Sequence, residues 1–405
     1  MFVTDYTMHL LDHVKKIHFI GCGGSGMYPL IQILSAKGYD ISGSDVLDGS
    51  IIRSEREMGV KVTLGHSADN VVGADLVVYS AAIAKDNVEL NAAASYGITT
   101  VERSVLLGYV SRLYKQSICV SGTHGKTTTT SMITTALELA GRDPSAVIGG
   151  KLPLIHGYGK AGKGDDIVIE ACEFSETFLK LTPYLSVVLN IDNDHLDYYG
   201  SMGELKFAFK RFALMTQFMI FANADDKNTM DVMYTLDRRV RTFGIGNGDY
   251  QAIHVQEYKP GFFEFDLKEW SKVTGHIRLA VPGRHNIYNA LAMCAVCRFA
   301  GLTVEQCAAA AAMALGNLLG LVCDPVAGLV EVPCIKRNVV GAVNAVSCAN
   351  MALAGVDYAI PCDEVIDAMG RVGSLLSPDL RETGQGGLAA TPTGVRIAER
   401  LADEA

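Results

Sequence analysis

Hydrophobic and polar positions in the first part of the chain follow a strand–helix–strand pattern. Residues 17–20 form a short apolar run that leads directly into the glycine-rich segment 21–26. Apolar positions with a helical period follow and stop at Gly38, and the next apolar run closes on Asp45. This pattern predicts a βαβ unit whose glycines let the backbone approach a phosphate. A tight turn that only packs the helix on the strand would give the same pattern.

The same alternation of apolar runs and helical patterns continues beyond residue 112. Strands are predicted at 117–120, 166–170, 185–190 and 218–222. Strands that alternate with helices imply a mainly parallel sheet covered on both faces. Short alternating segments over residues 241–279 predict an antiparallel extension, and a helix is predicted at 290–300.

Composition and charge narrow the classes of protein. The chain has 405 residues, 49% of them hydrophobic and 20% charged, which is typical of a globular protein of two or three domains. A net charge of −9 argues against nucleic acid as a partner. The first residues do not resemble a signal peptide, and the alanine-rich run 307–323 predicts a buried helix rather than a membrane span. Ten cysteines without a secretory signal favour the reducing cytoplasm.

A change in composition near residue 309 predicts a domain boundary. Residues 309–405 contain one aromatic residue, Tyr358, whereas the sequence has 16 tyrosines and 14 phenylalanines. We therefore expect an α/β protein with three parts. These are a Rossmann-like domain (1–112), a P-loop-type central domain with a mainly parallel sheet (113–308), and a small, mainly α-helical segment (309–405).

The strongest candidate site is the loop between the predicted strand 117–120 and the helix that follows it. Backbone N–H groups of such a loop bind phosphate oxygens, and the helix N-terminus adds positive potential. Lys126 would contact the β- and γ-phosphates, and the Thr127 hydroxyl would bind Mg²⁺. The nucleotide-binding residues predicted here are Gly122, Thr123, His124, Gly125, Lys126, Thr127 and Thr128.

Polar residues at later positions complete the predicted site. Glu170 ends one predicted strand, and Glu173 follows it. A cluster of acids around His195 follows the next strand. A divalent metal site is therefore expected at these strand ends. Taken singly, each could be a solvated turn or a cap. Near the start of a later helix, three side chains could contact a base or ribose, or could simply cap the helix: His285, Asn286 and Asn289.

The order and spacing of these motifs over about residues 14–308 resemble the Mur ligase family. The resemblance implies ATP-dependent amide-bond formation in peptidoglycan synthesis, with ATP and Mg²⁺ as cofactors. The motifs at residues 17–27 and 42–45 point to the member that joins L-alanine to the carboxylate of UDP-N-acetylmuramate through an acyl phosphate. Both of these small molecules would then be substrates.

The same resemblance assigns roles to individual residues. Lys126, Glu170 and His195 would be catalytic, and Thr127, Glu170 and His195 would hold Mg²⁺. The first domain would bind the UDP-sugar, with the glycine-rich loop near its phosphates and other side chains near the uridine or sugar. These substrate-binding residues would be Gly21, Gly23, Gly24, Ser25, Gly26, Asp45, His66 and Ser80.

Residues 309–390 resemble a different family, the C-terminal part of iron–sulfur L-serine dehydratases. This segment stands where Mur ligases carry an amino-acid-binding domain, so the chain reads as a chimera. The resemblance makes Cys323 and Cys334 ligands of an iron–sulfur cluster, which needs at least three protein thiolates. The cluster would therefore be incomplete.

Three functions remain open from the sequence. The first is the ligase, and the second is a fragment of an L-serine ammonia-lyase that forms pyruvate. The third is a protein that binds nucleotide and UDP-sugar without catalysis.

Overall fold

The computed structural model describes residues 9–194 and 196–313. The predictions for His195 and for the segment 314–405, including its helices and Cys323 and Cys334, lie outside the described residues. No helix within the described ranges is both long enough and apolar enough to cross a membrane.

The first part of the chain forms a five-stranded parallel sheet with the order β3-β2-β1-β4-β5. The strands are β1 (Lys16–Ile20), β2 (Asp40–Asp45), β3 (Lys61–Leu64), β4 (Leu76–Tyr79) and β5 (Thr99–Glu102). The helices between and after them are α1 (Tyr28–Ala36), α2 (Ser50–Glu57), α3 (Val88–Ser95) and α4 (Arg103–Ser111). The change in strand order beside β1 places the glycine-rich loop at a switch point, where open α/β sheets bind ligands.

A ten-stranded mixed sheet follows, with the order β15-β14-β13-β12-β11-β10-β6-β9-β7-β8. Its first strands are β6 (Gln116–Ser121), β7 (Ser145–Leu152), β8 (Gly157–Lys160), β9 (Asp166–Glu170) and β10 (Leu185–Val188). The others are β11 (Met219–Asn223), β12 (Val240–Ile245), β13 (Tyr250–Lys259), β14 (Phe262–Glu269) and β15 (Lys272–Arg278). Seven neighbouring strands of the sheet pair in parallel, and in sheet order they are β13, β12, β11, β10, β6, β9 and β7. The pairs β13–β14, β14–β15 and β7–β8 are antiparallel.

The helices of this second part are α5 (Lys126–Leu139), α6 (Leu196–Tyr199), α7 (Met202–Met215), α8 (Lys227–Met233), α9 (Asn286–Phe299) and α10 (Val304–Met313). Helix α5 packs against both α9 and α10. The expected boundary between residues 308 and 309 falls inside α10.

Burial explains why these segments form strands. The centres of β6 and β9 are continuous apolar runs, and every residue of β10 is buried, Ser186 included, as expected for strands covered on both faces. On one face, the ring of Phe178 stacks on Phe212 with 4.9 Å between centroids and meets the edge of Phe209 at 5.3 Å. These three rings are fully buried and fix α7 beneath the strand ends that carry the candidate site.

The two sheets meet through helices α1 and α4. Helix α1 packs against β7 and β8, and α4 packs against the 3₁₀ segment Phe174–Lys180. At the second contact, a β-carbon on Gly108 would collide with the backbone of Lys180. The carboxyl end of β5 is thereby held close to the carboxyl end of β9.

Candidate active site

The loop between β6 and α5 has the geometry of an anion site. Gly125 is the N-cap of α5 with φ at 85°, and a β-carbon there would collide with the side-chain oxygen of Asn289. Glycine is therefore required at this position. No side chain among the described residues caps the first turn of α5. Its N–H groups can bind an anion, and the helix dipole adds positive potential.

Lys126 is held beneath this loop by three acceptors. Its Nζ donates to the carbonyl oxygens of Gly122 at 2.6 Å and Thr123 at 3.0 Å, and to Glu173 Oε1 at 3.0 Å. The side chain of Glu173 is 1% exposed, so this carboxylate anchors the ammonium from the protein side. The sequence predicts Glu173 as part of an acidic metal site and does not predict its pairing with Lys126. Its spacing of three residues from Glu170 was the available signal.

Thr127 and Glu170 come together as predicted for a metal site. The Thr127 hydroxyl donates to Glu170 Oε1 at 2.9 Å, and the backbone N–H of Gly149 donates to Oε2 at 2.7 Å. Burial raises the pKa of Glu170, and these two hydrogen bonds act in the opposite direction. His195, the third predicted ligand, is outside the described residues.

These two oxygen donors fit Mg²⁺. The described residues contain no group of three or more His, Cys, Asp or Glu side chains placed to hold a metal ion. Magnesium nevertheless commonly binds through one or two protein ligands, substrate phosphates and water. A hydroxyl and a carboxylate beside a phosphate loop match that ligand set.

Asn190 fixes the loop from the neighbouring strand. Its side-chain oxygen accepts from the His124 N–H at 2.8 Å, and its amide donates to the His124 carbonyl at 3.1 Å. The Thr123 hydroxyl in turn accepts from the N–H of Asp192 at 2.9 Å. Thr123 and Asn190 therefore shape the loop through their side chains.

The three predicted base- or ribose-binding residues separate into two groups. Asn289 accepts from Thr129 Oγ1 at 3.2 Å and donates to Asn286 at 2.7 Å, while Asn286 also donates to the carbonyl of Pro282. Both asparagines are buried and tie α9 to α5. His285 lies at the N-cap of α9 without capping it through its side chain. Burial, and then the nearby His124, lowers the pKa of His285 to about 4, so its imidazole is neutral at pH 7.

In the first sheet, the loop at residues 21–26 is held by the end of β2. The N–H of Gly21 donates to the carbonyl of Ser44 at 2.8 Å, and the N–H of Gly23 donates to Asp45 Oδ2 at 2.9 Å. Asp45 Oδ1 accepts from Leu47, so both carboxylate oxygens of Asp45 organise backbone. Ser80 lies against Gly21, and its hydroxyl accepts from the N–H of Ala82. Gly24 and Ser25 are exposed at the tip.

His66, predicted near the uridine or sugar, belongs to a buried network that the sequence did not reveal. Glu89 is fully buried, accepts from Ser44 Oγ at 2.6 Å and from Asn70, and lies 3.4 Å from His66 Nδ1 and 3.5 Å from His18 Nε2. Burial alone would raise the pKa of Glu89. Its hydrogen bonds outweigh burial and lower the pKa to about 2. His66 is thus oriented by an ionised carboxylate.

A second buried acid lies beneath the same loop. Glu55 and Cys22 are both fully buried. The pKa of Glu55 is raised to about 8, chiefly by burial, with the neighbouring Cys22 thiol opposing the rise and Asp45 adding to it. Ile52 packs against Gly23 from the same face of α2, and Glu55 is three residues beyond Ile52. That spacing was the signal in the sequence that could have identified it.

Comparison with known families gives the class to which these two parts belong. Residues 16–115 match the model of the Mur ligase family, catalytic domain, and residues 120–297 match the Mur ligase middle domain. The chain therefore contains the N-terminal and middle domains of a Mur ligase. Residues 288–389 match the serine dehydratase alpha chain, so this likeness begins within α9, earlier than the expected residue 309.

Curated relatives of the chain carry the name of one member of this family. UDP-N-acetylmuramate–L-alanine ligase of Caldanaerobacter subterraneus is 42% identical over 299 residues, which are 73% of this chain and 65% of the relative. The ligase of the same name from Clostridium tetani is 41% identical over 298 residues, with the same two coverages. The chain thus spans slightly less than two thirds of the length of these relatives.

Solved structures agree with this likeness. The UDP-N-acetylmuramate–alanine ligase of Thermotoga maritima is 29% identical with a TM-score of 0.65, covering 73% of this chain and 67% of that one. A UDP-N-acetylmuramate:L-alanyl-γ-D-glutamyl-meso-diaminopimelate ligase from Neisseria meningitides is 25% identical with a TM-score of 0.67, covering 74% and 98%. Both likenesses lie in the α/β fold described above.

Proposed function

We propose that the chain is an ATP-dependent ligase that joins L-alanine to the carboxylate of UDP-N-acetylmuramate in peptidoglycan synthesis. The observation that carries this proposal is the pairing of Lys126 with Glu173 and of Thr127 with Glu170 at one phosphate loop. The names of the relatives supply the substrates. The roles of individual residues in binding and catalysis are proposed as well.

ATP binds at the loop between β6 and α5. The N–H groups of the first turn of α5 receive the phosphates, and Lys126 neutralises the β- and γ-phosphate charge while Glu173 keeps its ammonium in place. Thr127 and Glu170, with His195 as the predicted third ligand, would hold Mg²⁺. When bound, this ion supplies charge neutralisation at the phosphates. His285 and Asn289 are the residues proposed to contact the base or ribose.

The sugar nucleotide binds at the loop over residues 21–26. Its phosphates receive backbone N–H groups of that loop, and His66 and Ser80 contact the uridine or sugar. Asp45 and Glu89 act by holding the loop and His66. This arrangement brings the carboxylate of the sugar toward the strand end that carries Glu170.

The reaction needs no protein nucleophile. One carboxylate oxygen bonds to the γ-phosphorus, the bond from that phosphorus to the bridging oxygen breaks, and ADP leaves. The alanine nitrogen then bonds to the acyl carbon, phosphate leaves with the former carboxylate oxygen, and the nitrogen loses a proton. Positioning and charge neutralisation account for catalysis of the first step, because the developing charge is on phosphate oxygens.

A phosphate-release assay tests this proposal. Purified chain with ATP, Mg²⁺ and UDP-N-acetylmuramate is expected to release phosphate and ADP when L-alanine is added. Lys126→Ala should reduce the rate by at least about a hundredfold. Lys115→Ala is the matched control, because Lys115 is exposed and its ion-pair partner among the described residues, Asp165, is exposed too. Binding of both nucleotides without any turnover would contradict the ligase and favour a binding protein.

The match to the serine dehydratase alpha chain supports a second candidate function. It would be dehydration of L-serine to pyruvate and ammonia on an iron–sulfur cluster held in part by Cys323 and Cys334. Pyruvate formation after anaerobic reconstitution with iron and sulfide would support it. A Cys323→Ser variant that forms pyruvate equally well would contradict this ligand assignment.

A further inference from the structure

Arg103, the first residue of α4, packs its guanidinium onto the phosphate loop of the first sheet. A β-carbon added to Gly26 would lie 3.2 Å from Nη1 and 3.3 Å from Cζ of Arg103. Such distances are tighter than ordinary van der Waals contact, so Gly26 allows the guanidinium to lie flat on the loop. The cation therefore belongs to the same surface as the loop's N–H groups.

Within residues 9–194 and 196–313, this guanidinium has no hydrogen bond and no ion pair. Arg142, which is also partly buried, has a carboxylate partner. Arg142 donates through Nε and Nη2 to both oxygens of Asp166, at 2.8 and 2.9 Å. Burial lowers the pKa of Arg103, and the neighbouring Glu102 and Cys172 only partly oppose this effect. Arg103 is partly buried without a carboxylate partner among the described residues, so its guanidinium donors can be completed by a bound anion.

The position of Arg103 indicates which anion that is. The guanidinium contacts Gly26, and Cys172, between Glu170 and Glu173, is also one of its neighbours. Arg103 thus stands between the sugar-nucleotide loop and the strand end at which the carboxylate would be phosphorylated. The two acids on that strand end are already engaged by Lys126, Thr127 and Gly149.

We infer that Arg103 binds an oxyanion of the sugar nucleotide, either its diphosphate or the carboxylate that receives the phosphoryl group. This inference rests on the proposed function and adds a binding residue to it. The planar guanidinium presents two parallel N–H donors to two oxygens of one anion, which a lysine ammonium does not reproduce. Both oxyanions have this geometry.

Calorimetric binding of two nucleotides without ATP tests the inference and separates the sources. UDP-N-acetylmuramate carries both oxyanions, and UDP-N-acetylglucosamine carries the diphosphate only. Arg103→Gln should weaken UDP-N-acetylmuramate by about tenfold to a hundredfold, the range for a charge-assisted hydrogen-bond pair. Equal weakening of both nucleotides assigns Arg103 to the diphosphate. Weakening of UDP-N-acetylmuramate alone assigns it to the carboxylate.

Two further variants keep the outcome interpretable. Arg56, on α2, forms an exposed ion pair with Asp48. Arg56→Gln removes the same charge there, and this variant should bind both nucleotides with the affinities of the wild type. Arg103→Lys retains the charge but should bind UDP-N-acetylmuramate at least several-fold more weakly than the wild type does. This variant tests the inference if Arg103→Gln does not fold.

The negative outcomes are distinct. If the wild type binds UDP-N-acetylmuramate and both Arg103 variants bind it within twofold, the inference is overturned and the proposed function stands. If the wild type binds neither nucleotide, the sugar-nucleotide site itself is wrong, and the inference fails with it.

Discussion

Glu55→Gln should remove a pH-dependent destabilisation of the first sheet. Glu55 is fully buried beneath the glycine-rich loop beside the Cys22 thiol, and burial raises its pKa from 4.5 to about 8. In the unfolded chain, the same carboxyl ionises near pH 4.5. Between these two pH values, the folded protein holds a proton that the unfolded chain has lost. The free energy of unfolding therefore falls as pH rises through this window.

The expected magnitude follows from the width of that window. At about 1.36 kcal/mol for each pH unit, the fall amounts to about 5 kcal/mol between pH 4.5 and pH 8. Glutamine has the shape of the protonated acid and does not titrate. The variant should thus resemble the wild type near pH 4.5 and be more stable by about 5 kcal/mol at pH 8.

Urea unfolding at intervals from pH 5 to pH 8 measures this difference. Burial also raises the pKa of Cys22, so the thiol does not ionise inside the window. His285 titrates toward the acid end, but it contributes equally to both proteins and cancels in the difference. Glu57→Gln, at an exposed position of the same helix, is the control and should keep the slope of the wild type. Equal slopes for the wild type and Glu55→Gln would refute the reasoning.

Three further predictions concern the same two domains. Glu89→Gln should lower the free energy of unfolding at pH 7 by about 3 kcal/mol, measured by urea unfolding. The reason is that the pKa of Glu89 is lowered to about 2, so its stabilisation is complete above pH 4.5 and is lost only as pH falls toward 2. An unchanged stability would contradict the buried network. Gly125→Ala should lower the free energy of unfolding by about 1–2 kcal/mol from its φ of 85° alone. It should also abolish the ATP binding measured by calorimetry, because the added methyl group collides with Asn289. Retained ATP affinity would exclude this loop as the site. Phe178→Ala should lower the free energy of unfolding by about 3–5 kcal/mol, measured by thermal unfolding, because it opens the stacked aromatic cluster. A loss below 1 kcal/mol would argue against that packing.

The sequence predicts most of the fold because its strands are strongly apolar runs. The runs ending at Asp45 and Glu170 form strands as expected, and the antiparallel extension over residues 241–279 is present as β13 to β15. Strand β12 begins that segment but pairs in parallel on both sides. The antiparallel edge strand β8 was not predicted, because Gly157–Lys160 has little apolar pattern and forms only through its pairing with β7.

The site was predicted less completely, because partners depend on contacts that are distant in sequence. Lys126 and Thr127 are recognisable from their loop, yet their partners lie on β9 and beyond it. Asn289 illustrates the difficulty, since nothing local shows that its amide would be occupied by Thr129, 160 residues away. Arg103 has no local motif at all, and only its place against Gly26 distinguishes it from a surface arginine.

In the proposed reaction, ATP activates the carboxylate of UDP-N-acetylmuramate as an acyl phosphate. The most direct measurement uses substrate labelled with heavy oxygen in that carboxylate, followed by mass spectrometry of the phosphate released when L-alanine is added. One labelled oxygen is expected in each phosphate and none in ADP. Phosphate released without label would mean that water, and not the carboxylate, attacks ATP, and would contradict the acyl-phosphate route.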